Sequence, residues 1–416
     1  MEAGAPATFA VNLRQLVYSI AAAVDQVGVD DLYHGRRVGM MAVEMAKRVP
    51  LDGPTQQTLY DAGLLHDCGV SSTRTHKMLL TEFEWDSAQA HCDRGYQLLE
   101  GFAPLAHLAP IILHHHRRWS ELALMDVPPD TALAANLVYL ADRIDTLASP
   151  YYGSHTLLTH AAEIRATIAT YSASLFAPQL VEAFLRAADS EAFWLGLAPE
   201  YVTLYQQDMA SQRTAVDITW DQFKGCAYIF ADIIDAKSPW TEEHSLGVAR
   251  LSAYLAGKLD LPPLACEMIE IAGLLHDLGK LQIPDEILES TEALDEIEFG
   301  IMKSHSYATY QALSHIAGLG QIAAWAGYHH ECVDGSGYPF HKKATELPFE
   351  ARIINVADIF QALAQNRPYR QAMTADAILA ILTERARKGL ADERVVHMVA
   401  GHLAECMRVA TKQPQE

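Results

Sequence analysis

Two adjacent side chains that can bind a metal, His276 and Asp277, end an apolar run that starts near Leu264. The apolar residues of this run recur at helical spacing, which predicts a helix with one buried face. A buried imidazole and a buried carboxylate destabilise a fold unless a partner satisfies them. For a single His-Asp pair, a salt bridge or a helix cap is the first explanation. A divalent metal is the second, because zinc, iron and manganese accept both ligand types.

Other residues of the same types follow the same pattern, and they favour the metal. Five of them lie within or at the ends of apolar-periodic segments, namely His244, His305, His329, His330 and Asp358. With the first pair, they exceed the four ligands of a tetrahedral site. Five imidazoles and two carboxylates instead suit two octahedral metals that share a bridging carboxylate.

In their order along the chain, these residues resemble the HD-GYP family of HD-superfamily phosphohydrolases. The resemblance covers roughly residues 220–405 and is carried by His244, His276-Asp277-Leu278-Gly279-Lys280, His305, His329-His330-Glu331, Asp334-Gly335-Ser336-Gly337-Tyr338-Pro339, Asp358 and Asn366-Arg367-Pro368-Tyr369-Arg370. It implies a metal-dependent phosphodiesterase domain over residues 213–416 that hydrolyses cyclic di-GMP to linear pGpG.

The resemblance also implies a role for each residue. Asp277 would bridge two metals, and Lys280 would contact a phosphate oxygen or the leaving group, which makes both residues catalytic. One metal would be bound by His244, His276 and Asp358, and the other by His305, His329 and His330. Iron or manganese is the expected metal. Substrate contacts are expected from Gly337, Tyr338, Pro339, Arg367 and Arg370.

Two positions depart from the family pattern. Trp240 stands where relatives with a third metal have a glutamate, so a dinuclear site is expected. Gln361 replaces an aspartate that is common after the last ligand. Because this is not a ligand position, little is expected to follow from the replacement.

Three other functions stay open at this point. The substrate could be another cyclic dinucleotide, such as cyclic GMP-AMP, because no residue visibly selects guanine over adenine. A metal-loaded but slow site could act as a nucleotide-sensing regulatory module. A di-iron oxygenase is the third, since some HD-fold proteins have a similar ligand set; Lys280 and the Gly-Tyr-Pro loop disfavour it for the second half of the chain.

The first half of the chain repeats the ligand order of the second. At offsets of 210 to 216 residues it contains His34, His66, Asp67, His91, His115, His116 and Asp142. The chain is therefore predicted to be all-α, with two tandem HD-type helical bundle domains, the first spanning residues 1–205 with a helical linker. A metal in the first domain is one reading of these residues, and residual polar core groups are the other.

The first copy differs at the residues that would handle substrate. Val70 stands where Lys280 stands, and no Gly-Tyr-Pro loop follows His116. Valine cannot donate a hydrogen bond to a phosphate. The first domain is therefore predicted to be degenerate and non-hydrolytic, with a structural or regulatory role.

Composition limits the partners. The 416 residues include 52 acidic and 31 basic ones, a formal net charge of −21, which disfavours a nucleic-acid polymer or an anionic membrane as partner. Six scattered cysteines without a paired motif and the absence of a recognisable signal peptide favour the cytoplasm. A cyclic dinucleotide is the expected partner, and a homodimer or a signalling protein stays open.

Overall fold

The computed structural model describes residues 11–25, 27, 33–49, 53–70, 72–85, 87–211, 217–237, 243–366 and 371–411. Three residues with predicted roles lie outside these ranges: Trp240, Arg367 and Arg370. The predicted all-α fold is confirmed, because the described β-structure consists of one short antiparallel pairing and an isolated bridge. In that pairing, Val11 lies opposite Ile218 and Asn12 opposite Asp217.

The described chain consists mainly of α-helices joined by loops and 3-10 turns, of which the longest loop, residues 328–348, joins α18 to α19. The elements of the first half are β1 Val11–Asn12, α1 Leu13–Asp25, α2 His34–Ala46, α3 Gly53–Leu65, α4 Thr73–Thr81, α5 Gln89–Glu100, α6 Ala109–His114, α7 Trp119–Leu122, α8 Pro129–Ala148, α9 Leu157–Thr170, α10 Pro178–Ala187, α11 Glu191–Leu195 and α12 Pro199–Ser211. The elements of the second half are β2 Asp217–Ile218, α13 Trp220–Asp235, α14 His244–Lys258, α15 Pro263–Leu275, α16 Asp285–Leu288, α17 Glu296–Ser314, α18 Gly320–Gly327, α19 Phe349–Ala364, α20 Ala375–Arg387, α21 Glu393–Gly401 and α22 Leu403–Thr411.

Contacts divide the chain into two compact units. One contains residues 16–211, and the other contains residues 11–15 together with 217–411. The division on the C-terminal side of α12 lies near the boundary that the sequence predicts between residues 205 and 213. None of the described helices is both long enough and apolar enough to cross a membrane.

The two units repeat the same packing. In the first, α2 packs on α3 and α8, and α5 packs on α6. In the second, α14 packs on α15 and α19, and α17 packs on α18. The helices therefore correspond as α2 with α14, α3 with α15, α5 with α17, α6 with α18, and α8 with α19. This correspondence is the structural form of the repeat in the sequence.

Local sequence signals explain where the site-bearing helices begin. At the start of α17, Asp295 accepts a hydrogen bond from the backbone N–H of Glu298, whose side chain accepts one from the N–H of Asp295. Such a reciprocal cap satisfies two amide groups that the helix leaves unpaired. Helix α15 begins instead at Pro263, whose missing N–H and restricted φ suit the first helical position.

One glycine in each unit lets two site-bearing segments meet. A Cβ on Gly69 would lie 2.0 Å from the carbonyl oxygen of His91, and one on Gly279 would lie 2.0 Å from that of His305. No side chain fits at either position. The glycine two residues after each His-Asp pair is therefore what allows α5 or α17 to bring its histidine to that pair.

Candidate metal centre

The second unit brings together the seven residues that the sequence predicts as metal ligands. His244 begins α14, His276 and Asp277 follow α15, His305 lies within α17, His329 and His330 follow α18, and Asp358 lies within α19. Their ligand atoms form three overlapping groups in which all atoms lie within 4.8 Å of one another: His244, His276 and Asp358; His276, Asp277 and His329; and His305, His329 and His330.

Asp277 lies between the two outer groups and directs one oxygen toward each. Its Oδ2 is 3.2 Å from His276 Nε2 and 3.6 Å from His244 Nε2. Its Oδ1 is 3.6 Å from His305 Nε2 and 3.8 Å from His329 Nε2. Two bonds of about 2.0 to 2.2 Å from a metal to its ligands span such separations. Each carboxylate oxygen of Asp277 thus faces a different group of histidines.

Backbone carbonyls orient three of the histidine rings. The Nδ1 atoms of His276, His305 and His329 lie 2.6 to 2.7 Å from the carbonyl oxygens three residues earlier in the chain. Because a carbonyl oxygen only accepts, each Nδ1 must carry the proton, and the neutral ring then has a lone pair on Nε2. This is the tautomer of a histidine that binds metal through Nε2.

Without a cation, these lone pairs would face one another. His305 Nε2 lies 3.3 Å from His329 Nε2, although both atoms are acceptors. The Nε2 atoms of His244 and His276 and the Oδ1 atom of Asp277 are buried and have no hydrogen-bond partner among the described residues. Buried acceptors that face one another without a donor destabilise a fold. The arrangement fits positive ions at the centre.

Three of these residues have the charge states that metal binding requires, whereas at His276 the effect of burial is outweighed by Asp277, which raises the pKa of the ring. Burial lowers the pKa of His305 to about 3 and that of His330 to about 4, so both rings are neutral at pH 7. Burial opposes the ionisation of Asp277, but His276 and Lys280 outweigh it and hold the carboxyl pKa well below its usual range. Metals bind neutral imidazoles and ionised carboxylates.

Gln361 corrects an expectation from the sequence. Its Oε1 lies 2.5 Å from Nδ1 of His244, so it orients this ring where the other three rings use backbone carbonyls. The residue at this position therefore contacts a predicted ligand, although it is not a ligand itself. The sequence could not show it, because the contact joins α14 to α19 across 117 residues.

The first unit makes the corresponding contact with charged residues. Asp145 accepts from Nδ1 of His34 at 2.7 Å and from Arg37 at 2.6 and 3.0 Å. At the position of Arg37 the second unit has Gly247, where a Cβ would lie 2.7 Å from Gln361. The charged pair of Arg37 and Asp145 in the first unit is thus replaced by the uncharged residues Gly247 and Gln361 in the second. Gln361 is uncharged, and Gly247 supplies no side chain at the place where Arg37 pairs with Asp145.

Lys280 lies at the edge of the centre, with 17% of its side chain exposed. Its Nζ is 2.6 Å from Asp277 Oδ2, and its side chain also lines a cavity of about 420 Å³. This cavity is further lined by Met302, Glu292 and Tyr338. The lysine therefore lies between the carboxylate of Asp277 and the first cavity.

The Gly-Tyr-Pro loop folds back on the histidine pair. A Cβ on Gly337 would lie 2.3 to 2.5 Å from the backbone of residues 330–332, so the close approach that requires this glycine is to the chain itself. Buried Glu331 accepts from the backbone N–H groups of Phe340 and Lys342 and holds the segment after Pro339 in place. Tyr338 is thereby positioned with its ring 4.9 Å from that of His330.

A second cavity, of about 410 Å³, lies on the other side of Tyr338. His330 and Tyr338 line both cavities. The second is also lined by Phe299, Lys303 and Arg385, none of which the sequence singles out as ligand-binding. They come from α17 and α20, and no short motif connects such distant positions.

The first unit also assembles its predicted ligand set. Its groups are His34, His66 and Asp142, and Asp67, His91, His115 and His116. Asp67 again directs Oδ2 toward His66, at 3.3 Å, and Oδ1 toward His91, at 3.2 Å. His91 and His115 face each other through Nε2 at 3.2 Å. The seven residues therefore lie together in the first unit, as their counterparts do in the second.

Comparison with known proteins places both units in one family. The HD domain family matches residues 31–147 and residues 228–395. The 3'3'-cGAMP-specific phosphodiesterase 1 of Vibrio cholerae serotype O1 is 35% identical over 398 residues, which are 94% of this chain and 91% of that protein. The cyclic di-GMP phosphodiesterase response regulator RpfG of Xanthomonas campestris pv. campestris is 40% identical over 154 residues, which are 36% of this chain and 40% of that protein.

A solved structure shares the fold over nearly the whole chain. The crystal structure of a cyclic GMP-AMP specific phosphodiesterase of V. cholerae matches with a TM-score of 0.63 at 24% sequence identity. The match covers 95% of this chain and 98% of that one. Both helical units of this chain therefore have counterparts in that structure.

Proposed function

Because this chain belongs to the HD-GYP family of HD-superfamily phosphodiesterases, we propose that its second domain hydrolyses 3'3'-cyclic GMP-AMP to a linear dinucleotide. The observation that carries the choice of substrate is the similarity, along nearly the whole chain, to an enzyme named for this dinucleotide. Cyclic di-GMP, which the motifs first suggest, is the second candidate. It is favoured by relatives that are similar over about a third of the chain.

The proposed centre contains two divalent metals, iron or manganese. His244, His276 and Asp358 would bind one, His305, His329 and His330 the other, and Asp277 both. When bound, two such metals lower the pKa of a water molecule and neutralise charge that develops on the phosphoryl oxygens. Imidazole and carboxylate ligands together suit iron and manganese.

The side chains around the centre supply binding and orientation. Lys280 is the cation closest to the bridging carboxylate, at 2.6 Å, and it lines the first cavity, so it can donate to a phosphate oxygen or to the departing 3'-oxygen. Lys303 lies on the other side, with Nζ 4.6 Å from the ring of Phe299 and 5.9 Å from that of Tyr338. These lysines provide local positive charge in a chain whose net charge of −21 would repel an anionic substrate.

The two cavities support a substrate with two bases. They meet at Tyr338 and His330, beside the centre, and each is large enough for a purine. Their linings differ: the first contains Glu292 and Met302, the second Arg385 and Asn355. A substrate with two different purines would meet a different set of hydrogen-bonding groups at each base.

The test is a competition between two substrates. Purified protein loaded with manganese or iron receives equal concentrations of 3'3'-cyclic GMP-AMP and cyclic di-GMP, and the products are separated by chromatography. The expected result is a higher kcat/KM for the mixed dinucleotide. Asp277→Ala, prepared in parallel, controls for contaminating phosphodiesterase. Equal or greater turnover of cyclic di-GMP would refute the proposed specificity, and no turnover of either would refute the phosphodiesterase proposal.

A further inference from the structure

His76 is a buried histidine of the first unit that belongs to no predicted ligand set. His76 lies on α4 and is completely buried. Its Nδ1 lies 2.9 Å from the carbonyl oxygen of Val27. Its Nε2 lies 3.9 Å from Oδ2 of Asp67 and has no hydrogen-bond partner in the described part of the chain.

The ring of His76 has the same tautomer as the metal-binding histidines. Because the carbonyl oxygen of Val27 only accepts, Nδ1 carries the proton, and Nε2 of the neutral ring has a lone pair. That lone pair faces a carboxylate oxygen, which is also an acceptor. The separation of 3.9 Å is too long for a hydrogen bond. It lies within the reach of two metal–ligand bonds of about 2.0 to 2.2 Å each.

The second unit has a lysine at the corresponding place in space. There, Oδ2 of Asp277 faces His244, His276 and Lys280. In the first unit, Oδ2 of Asp67 faces His34, His66 and His76. An ammonium group cannot bind a metal while it is charged, whereas an imidazole can. The second centre thus has the ammonium group of Lys280 beside its carboxylate, and the first has the imidazole of His76, which can bind a metal.

Arg143 closes the same region of the first unit. It is 1% exposed, and all five of its N–H donors are directed at protein oxygens. Nε and Nη2 donate to Oδ2 of Asp142, and Nη1 and Nη2 donate to the carbonyl oxygens of Leu79, Glu82 and Phe83. In the second unit, the residue after the last predicted ligand is Ile359, which lines the open cavity beside Tyr338.

From these contacts we propose that the first unit contains a closed metal centre, in which His76 is an additional ligand and Arg143 seals the substrate side. Catalytic metal sites keep a coordination position open, whereas structural sites are filled by protein ligands. His76 lies beside the carboxylate of Asp67, where the second centre has Lys280, which is not a ligand. The arginine ties the segment that follows α4 to the ligand helix α8. The first centre therefore binds metal to stabilise its unit and does not bind a phosphodiester.

The test measures metal in the full-length chain. Asp277→Ala removes the bridging ligand of the second centre, so metal that remains after desalting belongs to the first. Elemental analysis is expected to give about two metals per chain in this background, as for a two-metal site. Adding His76→Ala should lower this to about one and should reduce the rise in Tm that saturating metal produces.

Two further variants keep the test decisive. Leu79→Ala removes a buried apolar side chain from the same helix, so it controls for damage to α4 and should leave the metal content unchanged. His76→Lys introduces the residue type of the second centre; it can pair with Asp67 and should also lower the metal content. Equal metal content in the histidine variants and the Leu79 control would overturn the proposal, as would a metal-free first unit in folded Asp277→Ala protein.

Discussion

The contact between Gln361 and His244 allows a quantitative prediction about metal binding. Replacing Gln361 with methionine keeps nearly the same side-chain volume but removes the oxygen that accepts from Nδ1 of His244 at 2.5 Å. The imidazole N–H is then left buried and unpaired, since His244 is only 1% exposed. An unpaired buried donor costs about 1 to 3 kcal/mol.

That free energy is expected to appear in metal affinity. A ring that is free to rotate, or to take the other tautomer, no longer presents a fixed lone pair on Nε2. About 1.4 kcal/mol corresponds to a tenfold change in affinity, so Gln361→Met should weaken binding roughly 5- to 150-fold. Loss of an outer partner of a metal-bound histidine typically costs about 10- to 100-fold, which lies within the same range.

The assay is competition for manganese with a chelator, read out as metal retained by the full-length protein. Exposed Gln321, on α18, gives a control in Gln321→Met, which should bind metal like the unchanged protein. The loss should affect the metal at His244 first, so the occupancy should fall toward about one per chain in the second centre before both metals leave. A change of less than threefold in a folded Gln361→Met variant would refute the assigned role.

Three further outcomes are expected. Asp277→Ala should lose the metals of the second centre together with activity, whereas Lys280→Ala should keep its metals and lose mainly kcat. Equal metal loss in both variants would show that the lysine is misassigned. Gly279→Ala should destabilise the fold by about 3 kcal/mol or more in urea unfolding, because its Cβ would meet the carbonyl oxygen of His305. The control, Gly300→Ala, lies on an exposed helical surface with free space and should be neutral or stabilising by up to about 1 kcal/mol. Partial burial opposes the ionisation of Asp392, but hydrogen bonds from Arg394 and Arg352 outweigh it and lower the pKa of the carboxyl group. The ionised carboxylate should therefore stabilise the fold above about pH 4, and this effect should disappear as the pH falls through the lowered pKa. The Tm difference between Asp392→Asn and the unchanged protein should accordingly vanish in acid.

The sequence was sufficient for residues whose roles depend on local order along the chain. The His-Asp pairs lie directly after helices because apolar runs end there. The offset between corresponding ligands changes only from 210 to 216 residues along the chain. It correctly predicted two copies of one helical fold, since a repeated ligand order requires a repeated arrangement of helices.

The sequence was not sufficient where two segments meet only in space. Counting offsets places Val70 opposite Lys280, yet the imidazole of His76, from a different helix, lies beside the shared carboxylate. Arg143 likewise has no signal of its own, because an arginine after an aspartate is ordinarily a surface residue. Both roles follow from the path of α4, which the second unit replaces with a 3-10 turn and the short α16.

The way in which the histidine rings are oriented has a consequence for how the second centre tolerates mutation. His276, His305 and His329 take their orientation from backbone carbonyls three residues upstream, so it persists whatever side chains the intervening positions carry. His244 depends on the side chain of Gln361. A single substitution of Gln361, which is not itself a predicted ligand, can therefore change the orientation of the His244 ring. Among the four rings, it is the one at which metal affinity can be tuned without changing a ligand.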